Sequence, residues 1–281
     1  MIGIKDLGAY VPCFRLDRSE ITRMWQQKQF EALMVGSKAV ASYDEDTLTM
    51  GYAACENLKG GLNFNSAKAL FFASTTPPFK EKSVASTLSY ILDLPQECSN
   101  AEFSASLRFG AQALNAAMNF SILNNSETLV VVSEIRSAMP GHYLEHAFGD
   151  GSAALVLGSD NTICNIEGVY ETNSEMTDQW RLSEDKFVKV GDEKFSATYG
   201  YIADTLTSIK ALLKQSDLTE QDINHIVCYA PDGPTYMAMA KKSGMAKLFN
   251  KEPLIMNIGN TGSSSAFLQL TLVLEQANPG D

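Results

Sequence analysis

Histidine is scarce in this chain: His142, His146 and His225 are the only three in 281 residues. A serine nucleophile would therefore find few partners to act as its general base. Cysteine is present without a pattern. Cys13, Cys55, Cys98, Cys164 and Cys228 are odd in number, scattered and without metal-ligand spacing, which points to a reducing compartment rather than a disulfide framework. No apolar run has the length of a membrane span, and the opening MIGIKDLGAYVP carries no signal-peptide pattern. A cytoplasmic protein, not associated with membrane, is expected. No basic stripe offsets the net charge of -11. That balance argues against nucleic acid as a partner but leaves room for a small anionic ligand in a local cationic pocket. The remaining composition, 45% hydrophobic and 20% charged, is that of a globular protein with core enough for one large domain or two fused ones.

The most informative stretch is Ala101 to Phe120, AEFSASLRFGAQALNAAMNF. Alternating apolar and polar residues lead through Ser106-Leu107-Arg108-Phe109-Gly110 into an alanine-rich segment with Ala113, Leu114, Ala117 and Met118 at helical spacing. The pattern predicts strand, tight turn and buried helix. Such a turn lifts one residue to a helix N-terminus, where unpaired amides and the positive dipole end stabilise a thiolate or an acyl oxygen. Leu107 holds that place. It has no lone pair, which excludes covalent catalysis at the turn unless Ser104 or Ser106 takes over. On residue type alone, Leu107 reads as a core residue at the head of a buried helix.

Along the chain, a first strand is expected over Ile2 to Leu7, with Gly8-Ala9-Tyr10-Val11-Pro12 as a loop. A helix from about Asp17 places Ile21, Met24 and Trp25 on its buried face, and another with Leu48, Tyr52, Ala53 and Cys55 follows Asp44-Glu45-Asp46. These three acids resemble a metal cluster, but acids ahead of a helix more often cap it, and capping is the reading adopted. His142 and His146, spaced i,i+4 beside Glu145, lack a third ligand at matching spacing, so no metal is expected. His225 is a strand-end residue.

The chain then repeats itself. In the first half a strand (Ala69 to Ser74) leads through Thr75-Thr76-Pro77-Pro78 into a helix ending near Leu92, followed by the central strand, turn and helix. Two strands complete that half: Leu129 to Ser133, and Ala153 to Gly158 entered through Phe148-Gly149-Asp150-Gly151-Ser152. In the second half a strand (His225 to Tyr229) leads through Ala230-Pro231-Asp232-Gly233-Pro234 into a helix, then a strand from Ile255, a small-residue turn to Gly262, and an apolar helix to Gln276. By analogy two further strands should follow Asn278-Pro279-Gly280-Asp281, so the second half reads as truncated, its open edge a surface for another chain. Halves over 1–165 and 166–281 are expected.

The duplicated α/β pattern, with the Phe148-Gly149-Asp150-Gly151 and Asn257-Ile258-Gly259-Asn260-Thr261 turns, resembles the thiolase superfamily near its ketoacyl-ACP synthase III branch. Gly8-Ala9-Tyr10-Val11-Pro12, Tyr43-Asp44-Glu45-Asp46-Thr47, Thr177-Asp178-Gln179-Trp180-Arg181 followed by Phe195, and Asn278-Pro279-Gly280-Asp281 narrow it. In that order they are similar to the archaeal and bacterial 3-hydroxy-3-methylglutaryl-CoA synthase type. The resemblance implies a layered αβαβα fold, a homodimer or hetero-oligomer through the first half, and acyl-CoA or acyl-carrier-protein substrates without a resident cofactor. It also implies acyl transfer to a cysteine and carbon–carbon bond formation helped by histidine, glutamate and asparagine. Carried over position by position, the cysteine's place is held by Leu107, the histidine's by Tyr229 and the glutamate's by Thr75; only Asn260 is kept. A one-residue shift would place Ser106 at the turn. Trp180, Arg181, Lys186 and Gly110 are candidates for ligand contact, and Arg108, Lys186, Lys189 and Lys194 for phosphate contact.

Two classes of function compete on these residues. One is a non-catalytic subunit of a thiolase-type acyltransferase assembly, partnered by an active thiolase-like subunit and an OB-fold bridging protein of the kind found with the family. The other is an active acyltransferase using Ser104 or Ser106, or direct transfer between substrates held by Asn260, which needs proximity and an oxyanion site but no covalent intermediate. A third reading needs only the pocket: an acyl-CoA bound as an allosteric or storage ligand.

Overall fold

The computed structural model describes residues 1–26, 35–60, 66–250 and 253–280, which leaves Asp281 of the last motif outside the described residues. Its centre is a six-stranded mixed sheet in the order β5-β4-β6-β7-β1-β8. The strands are β1 (Gly3–Tyr10), β4 (Ala67–Ala73), β5 (Ser99–Phe103), β6 (Glu127–Glu134), β7 (Gly151–Gly158) and β8 (Cys164–Asn165). β4 runs parallel to β5 and β6, whereas β6–β7, β7–β1 and β1–β8 are antiparallel. A two-stranded ribbon, β2 (Phe14–Asp17) with β3 (Ser37–Val40), lies apart from this sheet.

Continuous apolar runs such as Leu129-Val130-Val131-Val132 suit a sheet covered on both faces. Val130 and Val132 of β6, with Ala153, Leu155 and Leu157 of β7, join α4 (Phe109–Asn124) and α10 (Ser265–Gln276) through Ala113, Ala117, Phe267 and Leu268. Leu129 and Val131 face the other way, onto α2 (Thr47–Glu56) and α3 (Val84–Ile91), where Ala54, Cys55, Val84 and Leu88 are buried. The period-two alternation thus separates two cores across one sheet.

The first strand continues through Tyr10 instead of ending at Leu7, because Gly8, Ala9 and Tyr10 pair with Ala154, Ala153 and Ser152 of β7. α1 (Arg18–Trp25) starts at Asp17, whose side chain accepts from the Ser19 amide. Of its expected buried face only Ile21 is buried; Met24 and Trp25 are 66% and 45% exposed. Asp46 caps α2, its carboxylate 2.8 Å from the Thr49 amide, and Thr49 Oγ1 accepts in return from the Asp46 amide in a capping box. Glu45 binds the Tyr10 hydroxyl and the Ser42 amide. These hydrogen bonds give two of the three acids structural roles.

In the chain α5 (Tyr143–Ala147) stands between β6 and β7, and the hairpin β9 (Gln179–Trp180) with β10 (Lys189–Val190) follows β8. The second half then supplies α6 (Glu193–Phe195), a π-helical segment over Ser196–Ile202, α7 (Ala203–Gln215), α8 (Gly233–Ser243) and α9 (Ile255–Ile258). A third core, including Ile202, Tyr236, Met239, Phe249 and Ile255, holds these together. Two strand expectations fail here. Among the described residues, 225–229 form no strand and make one parallel bridge, Ile226 to Phe249, and Ile255–Ile258 is a one-turn helix. A strand is defined by its ladder, and Ile226 has one neighbour to pair with, while the Ile258 amide bonds locally to Leu254 O at 2.9 Å.

Candidate functional site

The turn at 104–108 joins β5 to α4. Ala105 sits at φ +77°, a conformation uncommon for a residue with a Cβ. The Phe109 amide closes onto Ser106 O at 3.0 Å, and Ser106 Oγ accepts from the Arg108 amide at 3.3 Å. Leu107, half-buried, stands immediately before α4, whose N-cap residue Arg108 offers no side-chain cap. The N-terminal end of the helix dipole gives the place a positive character.

Facing it is the loop from Gly259 to Ser264. Its position is fixed by the turn at 148–150: the Asn260 amide donates to Ala147 O at 2.7 Å and the Gly149 amide to Asn260 O at 3.0 Å. A Cβ on Gly149 would stand 1.8 Å from Ile258 O, so glycine is what permits the two backbones to meet. The two glycine-rich motifs are therefore one structural unit. Asn260 is fully buried and spends its amide three ways: Nδ2 donates to Tyr229 Oη at 2.9 Å and to Pro231 O at 3.0 Å, and Oδ1 accepts from the Gly262 amide at 2.8 Å. Gly262, at φ +62°, brings two side chains over the loop. A Cβ built there would lie 3.0 Å from Arg136 Nη1 and 3.1 Å from Leu107 Cδ2.

Thr75 arrives from the end of β4. Its amide and hydroxyl donate to Glu134 at 3.0 and 2.8 Å, Thr76 Oγ1 donates to the same carboxylate at 3.1 Å, and Ser263 Oγ adds a further hydrogen bond. Glu134 is fully buried. With four donors on its two oxygens it is hydrogen-bonded to capacity, a tie between the Thr75 loop and the Ser263 loop. Arg136, two residues on, is 7% exposed, stacks over the Phe148 ring at 4.0 Å and donates from Nη2 to Gln179 Oε1 at 3.0 Å.

Burial, more than any other influence, pushes the Tyr229 phenol up, against the pull of Arg136 and of the Asn260 hydrogen bond. The ring is therefore a protonated donor at neutral pH and not a base. Neighbouring Cys228 does not substitute as a nucleophile, because burial pushes its thiol up to about 11. Ser106 Oγ accepts a hydrogen bond from the Arg108 amide. His142 caps α5, its Nδ1 accepting from the Leu144 amide at 3.3 Å; His146 is buried beside Arg18; His225 is exposed.

The structure thus brings Leu107, Thr75, Tyr229 and Asn260 around a single loop. Of the other candidates, Arg181 reaches the site, donating to Thr75 O at 2.9 Å, and Trp180 is next to it on β9, partly exposed. Gly110 has a packing role: a Cβ there would lie 3.0 Å from both Phe267 Cε2 and Ser263 O. Lys186 stacks on Phe187, Lys189 pairs with Asp185 at 2.8 Å, Lys194 is exposed, and Arg108 turns toward Thr172 O and Glu171. Behind Arg108 opens a cleft of about 540 Å³, lined among others by Gln112, Tyr170, Asp204, Ile209 and Cys228. Glu134, Arg136 and Ser263 were not among the candidates. The available signal was an acid and a base closing an apolar strand, Ser133-Glu134-Ile135-Arg136, where buried charge needs a reason.

No protein-family model matches the chain. A hydroxymethylglutaryl-CoA synthase from Aeropyrum pernix is 32% identical over 290 residues, covering 99% of this chain and 79% of that protein. The chain belongs to the hydroxymethylglutaryl-CoA synthase family. A solved structure of HMG-CoA synthase complexed with CoA superposes with a TM-score of 0.87 at 19% identity, covering 99% of this chain and 75% of the other. A 3-oxoacyl-(acyl-carrier-protein) synthase III gives 0.82 at 15% identity, covering 98% and 91%. The fold is therefore thiolase-like. In this hydroxymethylglutaryl-CoA synthase relative the loop carrying Asn260 is complete, while Leu107, at the helix-terminal turn, offers no atom that can form an acyl bond. Among the described residues no helix is long and apolar enough to cross a membrane.

Proposed function

We propose that this protein is a non-catalytic, hydroxymethylglutaryl-CoA-synthase-like subunit that binds acyl-CoA or acyl-carrier thioesters within a thiolase-type acyltransferase assembly. The observation that carries the reading is Leu107, placed ahead of α4 and packed toward Gly262, where the family resemblance puts the nucleophile. Two further observations support it. Tyr229 is a protonated phenol held by Asn260, and Thr75 is bonded to a carboxylate that already accepts four hydrogen bonds. Attack, proton transfer and the carboxylate relay each lose their group, while the loops that shape the site stay in place.

The assembly would join copies of this chain, or this chain and an active thiolase-like subunit with an OB-fold bridging protein, through the first half. β5 favours that face, because it is an edge strand with β4 as its one neighbour in the sheet.

Intact-protein mass spectrometry after incubation with acetyl-CoA and acetoacetyl-CoA tests the reading. Wild type should carry no adduct, and Leu107→Cys should gain one acetyl group. An adduct on wild type mapped to Ser104 or Ser106 would make the chain a working acyltransferase with a serine nucleophile and end the non-catalytic reading.

A further inference from the structure

The two halves of the chain pass through the same elements, and one place in the second half is open. β1, α2, β4, α3, β5 and α4 are answered in order by β8, α7, residues 225–229, α8, the bridge residue Phe249 and α10. The parallel bridge from Ile226 to Phe249 repeats the parallel pairing of β4 with β5. In the first half β6 and β7 stand between β4 and β1. Among the described residues no strand stands between 225–229 and residues 166–172, which continue β8.

Both segments line the cleft of about 540 Å³, through residues 170–172 and 226–228, together with Ala111 of α4 and Ile209 of α7. A second cleft of about 370 Å³ is lined by the same two stretches of chain and the same helix, through Gly168, Ile223 and Leu212. Among the described residues, no backbone amide of 167–172 or 227–229 gives a hydrogen bond. These are the donors a ladder would use. α7 carries Leu206, Ile209, Leu212 and Leu213 at helical spacing. The third core covers part of that stripe, yet none of the 13 residues of α7 is buried. Its counterpart α2 buries Ala54 and Cys55 in a core shared with Leu129 and Val131 of β6 and Ala154 of β7. What α7 lacks is the cover that two strands give α2.

We infer that this slot receives a β-hairpin from a second polypeptide, its first strand parallel to 225–229 and its second antiparallel to 166–172. Those directions are the ones β6 and β7 take beside β4 and β1. Strands held between α4 and α7 are covered on both faces, so the hairpin is apolar on both. Main-chain hydrogen bonds to the two waiting edges supply affinity, and side-chain pockets supply selection. Charge adds a further mark. Glu167, Glu171 and Asp204 line the two clefts with Arg108, which lies 3.9 Å from Glu171. Among the described residues neither Glu167 nor Asp204 has an ion-pair partner. The hairpin therefore carries lysine or arginine at its ends, beside these two acids. The inference is independent of thioester binding, since it concerns the opposite edge of the second half's elements and no group of the Asn260 loop.

The probe is a synthetic hairpin made from the first half's own pair: Thr128 to Ser133, an Asn-Gly turn, then Ser152 to Leu157, with a lysine at each end. Ser133 is paired with Ser152 in the sheet, so a two-residue turn keeps the register. Amide exchange of the full chain is read by NMR with and without this peptide. At a peptide concentration ten times its Kd, amides in both 167–172 and 227–229 should slow about tenfold. The same peptide with Val131→Pro and Ala154→Pro, which lacks ladder donors, should protect neither. Ile209→Lys in the protein, which puts a cation into the slot, should abolish the effect; the proline peptide keeps the test valid if that variant fails to fold. Protection of one segment alone would mean addition to a single edge and overturns the slot. Equal protection by the proline peptide, or none by either peptide, overturns it too. Slow exchange of both segments without peptide also overturns the inference: if it grows with protein concentration a second copy fills the slot, and if it does not the chain covers the slot itself.

Discussion

At the scale of single residues, the site is built by side chains that hold loops together. Glu134 accepts from Thr75, Thr76 and Ser263 and is fully buried. Glu134→Gln turns one accepting oxygen into a donor facing donors. We expect a loss of about 2 to 4 kcal/mol in urea denaturation; a loss within 0.5 kcal/mol, about the range of ordinary surface substitutions, would mean the cluster rearranges without cost. That Leu107, Tyr229 and Thr75 belong around one loop with Asn260 was legible in the sequence because the glycines and prolines beside them mark the turns that carry them. Arg136 and Glu134 were not. Each looked like the polar end of an apolar strand, and only the tertiary structure puts one under Gly262 and the other under Thr75.

At the scale of elements, the first half was legible because its strands are covered on both faces and its helices announce their caps, as Asp46 and Asp17 do. The second half was less so. Periodicity identified apolar segments at 225–229 and 255–258, but whether such a segment becomes a strand depends on neighbours that lie far away in sequence. A cap can also respond to pH. His142 caps α5 through an unprotonated Nδ1, and burial lowers its pKa below the usual imidazole value; burial does the same to His146. For a base with a lowered folded pKa the unfolded state takes up the proton first. This contribution to stability is therefore present above about pH 6.5 and is lost as pH falls from there toward the folded value. His142→Asn keeps a capping acceptor and removes the titration. Urea midpoints at pH 7 and pH 5 should drop less for the variant than for wild type; an equal drop would assign the acid sensitivity elsewhere.

At the scale of the whole molecule, the question is what fastens the second half to the first. The turn at 148–150 against the loop at 258–260 is one fastening, and Arg18 is the other. From the start of α1, its guanidinium reaches His146 O beside the first turn, and Ile255 O and Met256 O in α9. Burial lowers its pKa to about 10, far enough above neutral for the group to stay charged. The charge matters because each of its hydrogen bonds is stronger than a neutral one, and because those to His146 O and Ile255 O are buried. Arg18→Met preserves the aliphatic stem and removes every donor. We expect it to cost about 3 to 5 kcal/mol, and to do so in a particular pattern. Amide exchange should accelerate at Ile258 and Gly259, whose amides bond within α9, and at Asn260 and Gly149, which join the two turns. The interior strands β4 and β6, packed on both faces, should keep the protection they have at any given denaturant distance from the midpoint. If exchange instead speeds up only within α1, the arginine serves its own helix. The junction between the halves would then rest on the glycine turns alone.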